Sequence, residues 1–412
     1  MGLEAFPPAS SGLDRPRTRR VTRYRIIPTI MPSSLTIGIN AVYLNPTRQG
    51  GAETYVRQLL NELLKMAPSE LGPLRFVLFV ARDSEFLEHT QLTNNSRFEL
   101  VVNAVDARRK YRRIWWEQQR FPRLLRKYSL DLMHFPYGTM SKSYRGRSLV
   151  TVHDTLRFCV PEQMPFSQRF YRGWNERALR RNHVHVVSVS QADAALVHQH
   201  QQVPRERISV IYHGVLPDFF EVPRPAEFEP LNKPRLLWIG RPYPRKNVEV
   251  LIRAVHQLQA GFDIRPHLKL VGVEQIDLRR LQQVIRQTAA SDLVELIPPV
   301  SHAELPRLLR DADFFVYPSL YESFGLPVLE ALAAGVPTIC ADIPPFQELY
   351  REGVAFSPAN SPNAWAKEIK TLCEEPERRR DLVEQGRKIA REFNWSRCAE
   401  EHVALYRRLT ES

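Results

Sequence analysis

The sequence predicts two doubly wound parallel sheets, one in each half of the chain. Three observations point there. Short apolar runs alternate with helical stretches from Leu35 to the C-terminus, the pattern of βα units and parallel strands. The 412 residues are enough for two or three domains with ample cores. Residues 216–234 hold several prolines and little periodicity, which reads as a linker between the halves.

Taken in order, residues 1–34 read as a disordered basic tail. Prolines, serines and the run RPRTRRVTRYR dominate it, without helical or strand periodicity. Either translation starts at Met31, just before the first convincing strand, or the tail is a basic arm for membrane or nucleic acid. Residues 35–215 form the first domain. LTIGINAVYL reads as its first buried strand, NPTRQGGAET as a loop, and Ala52 to Met66 as an amphipathic helix. Gly50 and Gly51 let the backbone turn tightly and approach a ligand, or simply make an ordinary strand-to-helix turn. RFVLFVA, RFELVV, DLMHF, SLVTV, HVVSVS and ISVIYHGV are the further strands. Ser190 is placed to cap the helix QADAALVHQH, and another helix runs around Phe166 to Arg181.

Residues 235–392 restart the alternation with LLWIG, HLKLVGV, LVELIPPV, DFFVYP, VPTICAD and GVAF as strands. From about Ser361 the chain is helical, with Trp365 and Trp395 on apolar faces, and residues 393–412 read as a separate terminal helix.

The net charge is +13, which favours anionic partners: nucleic acid, acidic lipid or phosphorylated substrates. Between Val105 and Tyr128, nine Lys or Arg face two acids, with Trp115, Trp116 and Phe121 among them. Such a helix suits a membrane surface; the alternative packs the aromatics on the sheet and solvates the arginines. Nucleic acid is disfavoured, since no recognition motif accompanies the charge. No apolar run is long enough to span a bilayer, and no signal-peptide core precedes the first strand. Cys159, Cys340, Cys373 and Cys398 form no C-x-x-C pair, so the reading is buried thiols in a reducing cytoplasm.

The chemistry concentrates between Tyr317 and Pro337. An apolar run ends at Pro318, a polar turn follows, and a short helix from Leu326 to Ala334 is closed by Gly335 and Pro337. The peptide N–H groups at that helix start have no internal partners, which makes an anion cradle suited to a phosphate. Glu322 lies in the loop and Glu330 in the helix. Two glutamates alone would be solvated surface acids. Farther upstream, Arg241 follows a strand end at Gly240 and Lys246 comes where a helix begins; two such cations can clamp a diphosphate, or simply form a solvated basic turn, and Arg245 is adjacent. His153 and Asp154 sit at the carboxyl end of a strand, where ligands of open α/β sheets bind.

The phrase P-S-x-x-E-S-F-G-L-P-x-L-E-A-x-A-x-G-x-P from Pro318 to Pro337 resembles the glutamate–seven–glutamate motif of retaining glycosyltransferases of family 4. Gly240 to Asn247 is similar to that family's G-R-x-x-x-x-K-N pattern, and His213-Gly214-Val215 to its turn at the domain hinge. The resemblance implies the GT-B fold, in which two Rossmann-like domains face a cleft and the last helix crosses back to the first domain. It implies transfer of a hexose from a nucleotide-diphosphate sugar with no metal or other cofactor. His153, Glu322, Arg241 and Lys246 then carry catalysis, with Asp154 orienting the imidazole or the sugar. Gly50, Gly51, Arg241, Lys246, Glu322, Ser323, Phe324, Gly325, Leu326 and Glu330 bind the donor, Glu330 at the ribose hydroxyls. Val294 to Pro299 line the nucleobase. HDTLRFCVPEQMP around His153 is similar to a mannosyl-transferring branch, so GDP-mannose is the first donor expected and a UDP-hexose the second. The acceptor implied is a glycan or lipid-linked glycan, and the place a cytoplasmic one, peripheral on the inner face of the cell membrane. Two rivals are another GT-B enzyme, such as a nucleotide-sugar epimerase or hydrolase, and a non-catalytic basic protein that binds membrane or nucleic acid.

Overall fold

A computed structural model describes residues 34–44, 50–88, 92, 95–164, 166–223 and 228–411. Residues 1–33, with the tail and Met31, lie outside the described residues. So do residues 45–49 of the glycine-rich loop and residues 224–227 of the linker.

The first sheet contains β1 (Leu35–Asn40), β2 (Leu74–Ala81), β3 (Phe98–Asn103), β4 (Leu132–Phe135), β5 (Ser148–Val152), β6 (Val184–Ser188) and β7 (Ile208–Val210). Their order is β3-β2-β1-β4-β5-β6-β7, and every neighbouring pair is parallel. The second contains β8 (Arg235–Ile239), β9 (His267–Val271), β10 (Val294–Ile297), β11 (Phe314–Tyr317), β12 (Thr338–Ala341) and β13 (Ala355–Ser357). Its order is β10-β9-β8-β11-β12-β13, again parallel throughout. Helices cover both faces of such sheets, so the central strands read as unbroken apolar runs rather than as alternation; β4, β5, β11 and β12 are buried along their whole length.

Strand order reverses between β1 and β4 in one sheet and between β8 and β11 in the other. Loops leaving the carboxyl ends there diverge and open a crevice. The helices that position the site are α1 (Gly51–Lys65), α2 (Lys110–Gln119), α3 (Phe166–Glu176), α4 (Gln191–Gln201), α5 (Val248–Phe262), α6 (Gln275–Gln287), α7 (Leu326–Ala333), α8 (Pro344–Leu349), α9 (Pro362–Glu374), α10 (Pro376–Glu392) and α11 (Trp395–Glu411).

The terminal helix α11 joins the core of the first domain. Trp395, Cys398, Ala399, Val403, Leu405 and Tyr406 pack with residues of β1, β2 and α1. Each large apolar side chain buried this way contributes about 1.5–3 kcal/mol. The crossing begins where Val215 N donates to Phe393 O at 3.1 Å. Gly214 makes that approach possible: a Cβ there would lie 2.2 Å from Trp395 N. The tryptophans Trp365 and Trp395 are both buried.

Local expectations shift in instructive ways. β1 stops at Asn40 rather than running to Leu44, because the Asn40 carboxamide accepts Val42 N at 3.3 Å and turns the chain. The helix expected to Arg181 ends at Glu176. Gly50 is extended (φ −144°) and Gly51 is the first residue of α1, so neither has a left-handed backbone. A Cβ at Gly51 would make only an ordinary contact, 3.7 Å from Leu326 Cδ1. The basic segment around α2 divides. Trp116 and Phe121 are buried and stacked at 4.8 Å, whereas Trp115 is 56% exposed and Tyr111 78% exposed. Cys340, Cys373 and Cys398 are buried thiols, and Cys159 is half-buried.

Candidate donor site and interdomain cleft

The loop from Pro318 to Gly325 leaves β11 at the switch point and enters α7. Gly325 requires its residue type: φ is +88°, and a Cβ would lie 2.5 Å from the Phe346 ring. The loop is pinned from several sides. Leu320 N donates to Arg245 O at 2.8 Å, Asn247 Nδ2 donates to Pro318 O at 3.3 Å, and the Tyr350 hydroxyl donates to Phe324 O at 3.1 Å. Phe324 is buried against His213, Tyr350 and Phe393.

Within α7, Val328 N and Leu329 N already bond to Gly325 O. Among the described residues, the amides of Ser323, Phe324, Gly325 and Leu326 have no acceptor. These four N–H groups, at the positive end of the helix dipole, remain available to an acceptor.

Glu322, the residue just before these amides, forms an ion pair with Lys246, each side chain only 12% exposed. Lys246 Nζ also donates to the Tyr317 hydroxyl at 2.7 Å. Burial lowers the ammonium pKa, and Glu322 opposes that shift. Arg241 lies at the rim, 3.0 Å from Glu274 and stacked over Tyr243 with Arg245 on the same ring. Glu330 is nearly buried and accepts from His302 Nε2 at 3.0 Å. That hydrogen bond raises the His302 pKa against the effect of burial.

The facing domain contributes His153 from the end of β5. Its Nε2 lies 2.7 Å from Pro136 O, and a carbonyl can only accept, so Nε2 carries the proton. Nδ1 is then a bare acceptor, buried and without a partner among the described residues. Burial lowers the imidazole pKa to about 4, so the ring is neutral at pH 7. Pro136 orients this ring, which corrects the role expected of Asp154. The Asp154 carboxylate instead pairs with Arg172; burial disfavours its ionisation, and Arg172, the Leu156 amide and Arg245 together more than reverse that. Gly51 brings the start of α1 against Leu326, so the glycine-rich segment does meet the α7 N-terminus.

Residues the sequence reading passed over complete the cleft. On the second domain they are Tyr317, Glu274 and His302. On the first, Glu117 of α2 is buried behind Tyr43, whose hydroxyl bonds to it, and Asn40 Nδ2 donates to it at 2.8 Å. Burial pushes the Glu117 carboxyl up to about 7. Tyr43 stacks on Tyr137 at 4.6 Å, beside the Pro136 carbonyl that holds His153. No spacing rule links Asn40, Tyr43 and Glu117, which lie 77 positions apart at the extremes. Only the order of β1 and β4 brings them together.

Comparison with known proteins adds the family. The model for Glycosyltransferase Family 4 matches residues 49–219, and the model for Glycosyl transferases group 1 matches residues 220–389. A relative, O-antigen chain mannosyltransferase B of Escherichia coli, is 28% identical over 271 residues, 64% of this chain and 71% of that protein. Sucrose-phosphate synthase of Thermosynechococcus elongatus superposes with a TM-score of 0.72 at 22% identity, covering 92% of this chain and 99% of that one. The Anabaena protein HepE, in complex with UDP and glucose, superposes at 0.68 with 18% identity over 90% of this chain and 99% of that one. These likenesses show the fold to be GT-B. With both halves matched in sequence and both sheets in structure, the chain belongs to glycosyltransferase family 4, its second half being a glycosyl transferases group 1 domain.

Proposed function

We propose that the protein is a retaining glycosyltransferase that moves a hexose from a nucleotide-diphosphate sugar to a glycan or lipid-linked glycan. The observation that carries this is the meeting of the unpaired amides at residues 323–326 with the Lys246–Glu322 pair at a switch point. Breaking the anomeric C–O bond leaves negative charge on the departing diphosphate and positive charge on the sugar. Fixed donors aimed at the first of these lower the barrier without reorganising. The four amides, Lys246 and Arg241 are such donors, and they stand in for the divalent cation, so no metal is required. Glu322, next to Lys246, contacts the donor sugar, and Glu330 receives the ribose hydroxyls while His302 fixes its orientation. His153 Nδ1 accepts from a sugar hydroxyl; a neutral ring beside a sugar gaining positive charge adds no repulsion. Val294 to Pro299 line the base.

Mannose from GDP-mannose is the first donor, a reading supported by the Escherichia coli mannosyltransferase relative. A UDP-hexose is the second, supported by the likeness in fold to HepE, whose complex holds UDP and glucose. For a lipid-linked acceptor the support is the exposed pair Tyr111 and Trp115 on basic α2, which suits peripheral contact with an anionic cytoplasmic membrane face. Among the described residues no helix is long and apolar enough to cross a membrane. The test is a calorimetric donor screen with GDP- and UDP-sugars. Saturable binding of one nucleotide class is expected, lost in Lys246→Ala; no binding of either class at millimolar concentration overturns the proposal.

A further inference from the structure

The first turn of α4 exchanges hydrogen bonds with the second domain in both directions. Glu348 of α8 accepts Gln191 N at 2.8 Å and Ala192 N at 2.7 Å, so a carboxylate of the second domain caps a helix of the first. The same carboxylate takes the Tyr212 hydroxyl at 3.1 Å. The next residue, Asp193, works the other way. Its Oδ1 accepts the Tyr321 hydroxyl at 3.1 Å and the Ser323 hydroxyl at 3.0 Å, both from the loop between β11 and α7. Thr155 Oγ1 donates to the same oxygen at 3.0 Å, and Ser188 Oγ reaches Oδ2 at 3.3 Å. Thr155 N, beside Asp154, donates to the Tyr321 hydroxyl at 2.6 Å. Asp193 is 1% exposed.

A helix-capping role does not account for this side chain. The cap is Ser190, whose hydroxyl accepts Asp193 N at 3.1 Å. Burial makes the carboxyl costly and pushes its pKa up to about 6, with Asp154 adding repulsion and the three hydroxyl donors opposing. Within its own domain Asp193 serves Thr155 and Ser188; across the boundary it holds Tyr321 and Ser323, and these two residues flank Glu322.

We infer that Asp193 is a positioning residue for the donor loop, acting across the domain boundary: with the two domains together, its Oδ1 gathers Tyr321 and Ser323 and so sets Glu322 and the amides of Ser323 to Leu326 in place. The clasp formed by Asp193 and Glu348 couples the domain arrangement to assembly of the donor site. When the domains separate, both sets of hydrogen bonds are lost and the loop is released. Misplacement of a reacting group by about 1 Å costs on the order of a hundredfold in rate, so the clasp acts on turnover more than on nucleotide affinity. This inference rests on the reading of the Glu322 loop as the donor site.

The test compares Asp193→Ala, Asp193→Asn, Tyr321→Phe and the Asp193→Ala/Tyr321→Phe double variant of the full chain. The readouts are kcat, donor KM, melting temperature and hydrogen exchange of the amides at residues 321–326. Asp193→Ala is expected to lower kcat at least tenfold with donor KM changed less than threefold, and to speed exchange in the loop. Asp193→Asn, which keeps Oδ1, recovers part of kcat. Tyr321→Phe, a milder change in packing, lowers kcat severalfold, and the double variant is no worse than Asp193→Ala. Wild-type kcat and exchange in a folded Asp193→Ala overturn the inference, as do single-variant losses that multiply in the double variant. A lowered melting temperature with kcat unchanged shows a merely structural role and also overturns it. Should the wild type transfer no sugar, the functional proposal falls, while faster loop exchange in Asp193→Ala still supports the tether.

Discussion

The two walls of the cleft handle charge in opposite ways. On the second domain, ionisable groups stand in pairs: Lys246 with Glu322, Arg241 with Glu274, His302 with Glu330. On the first, apart from the Asp154–Arg172 and Arg157–Glu176 pairs, burial disfavours charge. His153 and His402 are lowered to about 4, His134 and His213 lie well below their ordinary value, and Glu117 is raised to about 7. The four imidazoles and Tyr55 pack together, His153 stacking 5.7 Å from His213 and Tyr55 bonding to His402 at 2.7 Å. The difference matches the two fragments of a nucleotide-sugar. Paired charges can be redirected to a diphosphate, whereas a neutral wall does not oppose a sugar that becomes positive.

The largest expected effect comes from breaking the paired side. Lys246→Ala and Glu322→Ala are each predicted to cut turnover more than about tenfold, at least ~1.4 kcal/mol in barrier. Lys246→Ala also leaves Glu322 nearly buried without its cation, which costs about 3–5 kcal/mol of stability. Steady-state kinetics with denaturant melts check both, and wild-type turnover in either variant would remove these residues from the mechanism.

The second prediction sharpens the contrast through pH. A buried histidine with a depressed folded pKa takes up its proton more readily when unfolded. Between about 6.5, the unfolded value, and 4, the unfolded chain therefore binds more protons, and stability falls as pH falls. Asp193 and Glu117, raised to about 6 and about 7, act in the opposite sense but are fewer. The melting temperature should decline from pH 7 to pH 5, and His402→Gln should flatten that decline. A melting temperature that rises over this interval contradicts the neutral-wall description.

The smallest effect concerns Glu117. Its folded pKa is raised, so the stability its proton confers is complete below the unfolded value of about 4.3 and lost as pH rises through about 7. Glu117→Gln should gain in melting temperature relative to wild type at pH 8 and not at pH 5. Equal shifts at both values would show that Glu117 is not protonated in the folded state at low pH.

The two walls also differ in how far they could be read from sequence. Gly325, Glu322 and Glu330 lie within one strand–loop–helix unit, and Arg241 and Lys246 within another, so the family motif in each short stretch carries them. The alternating strands were legible because apolar runs and turn residues mark them locally, whereas the return of the last helix came from the family resemblance. The first domain's wall has no such signal. Glu117 meets Asn40 and Tyr43 only because β1 and β4 are neighbours, and Pro136 rather than the adjacent Asp154 orients His153 because the strand end points the imidazole inward. Asp193 reads as an ordinary first-turn acid, and its partners Tyr321 and Ser323 come from the other domain. Exposure of Trp115 beside burial of Trp116 likewise depends on which face of α2 meets the sheet.

The most direct test of the central claim is a crystal structure of the full chain soaked with GDP or UDP. The account predicts both phosphates within hydrogen-bonding distance, about 3 Å, of the amides at residues 323–326, with Lys246 or Arg241 turned onto them. Phosphate density bound elsewhere on the chain, with these amides left to solvent, would contradict it.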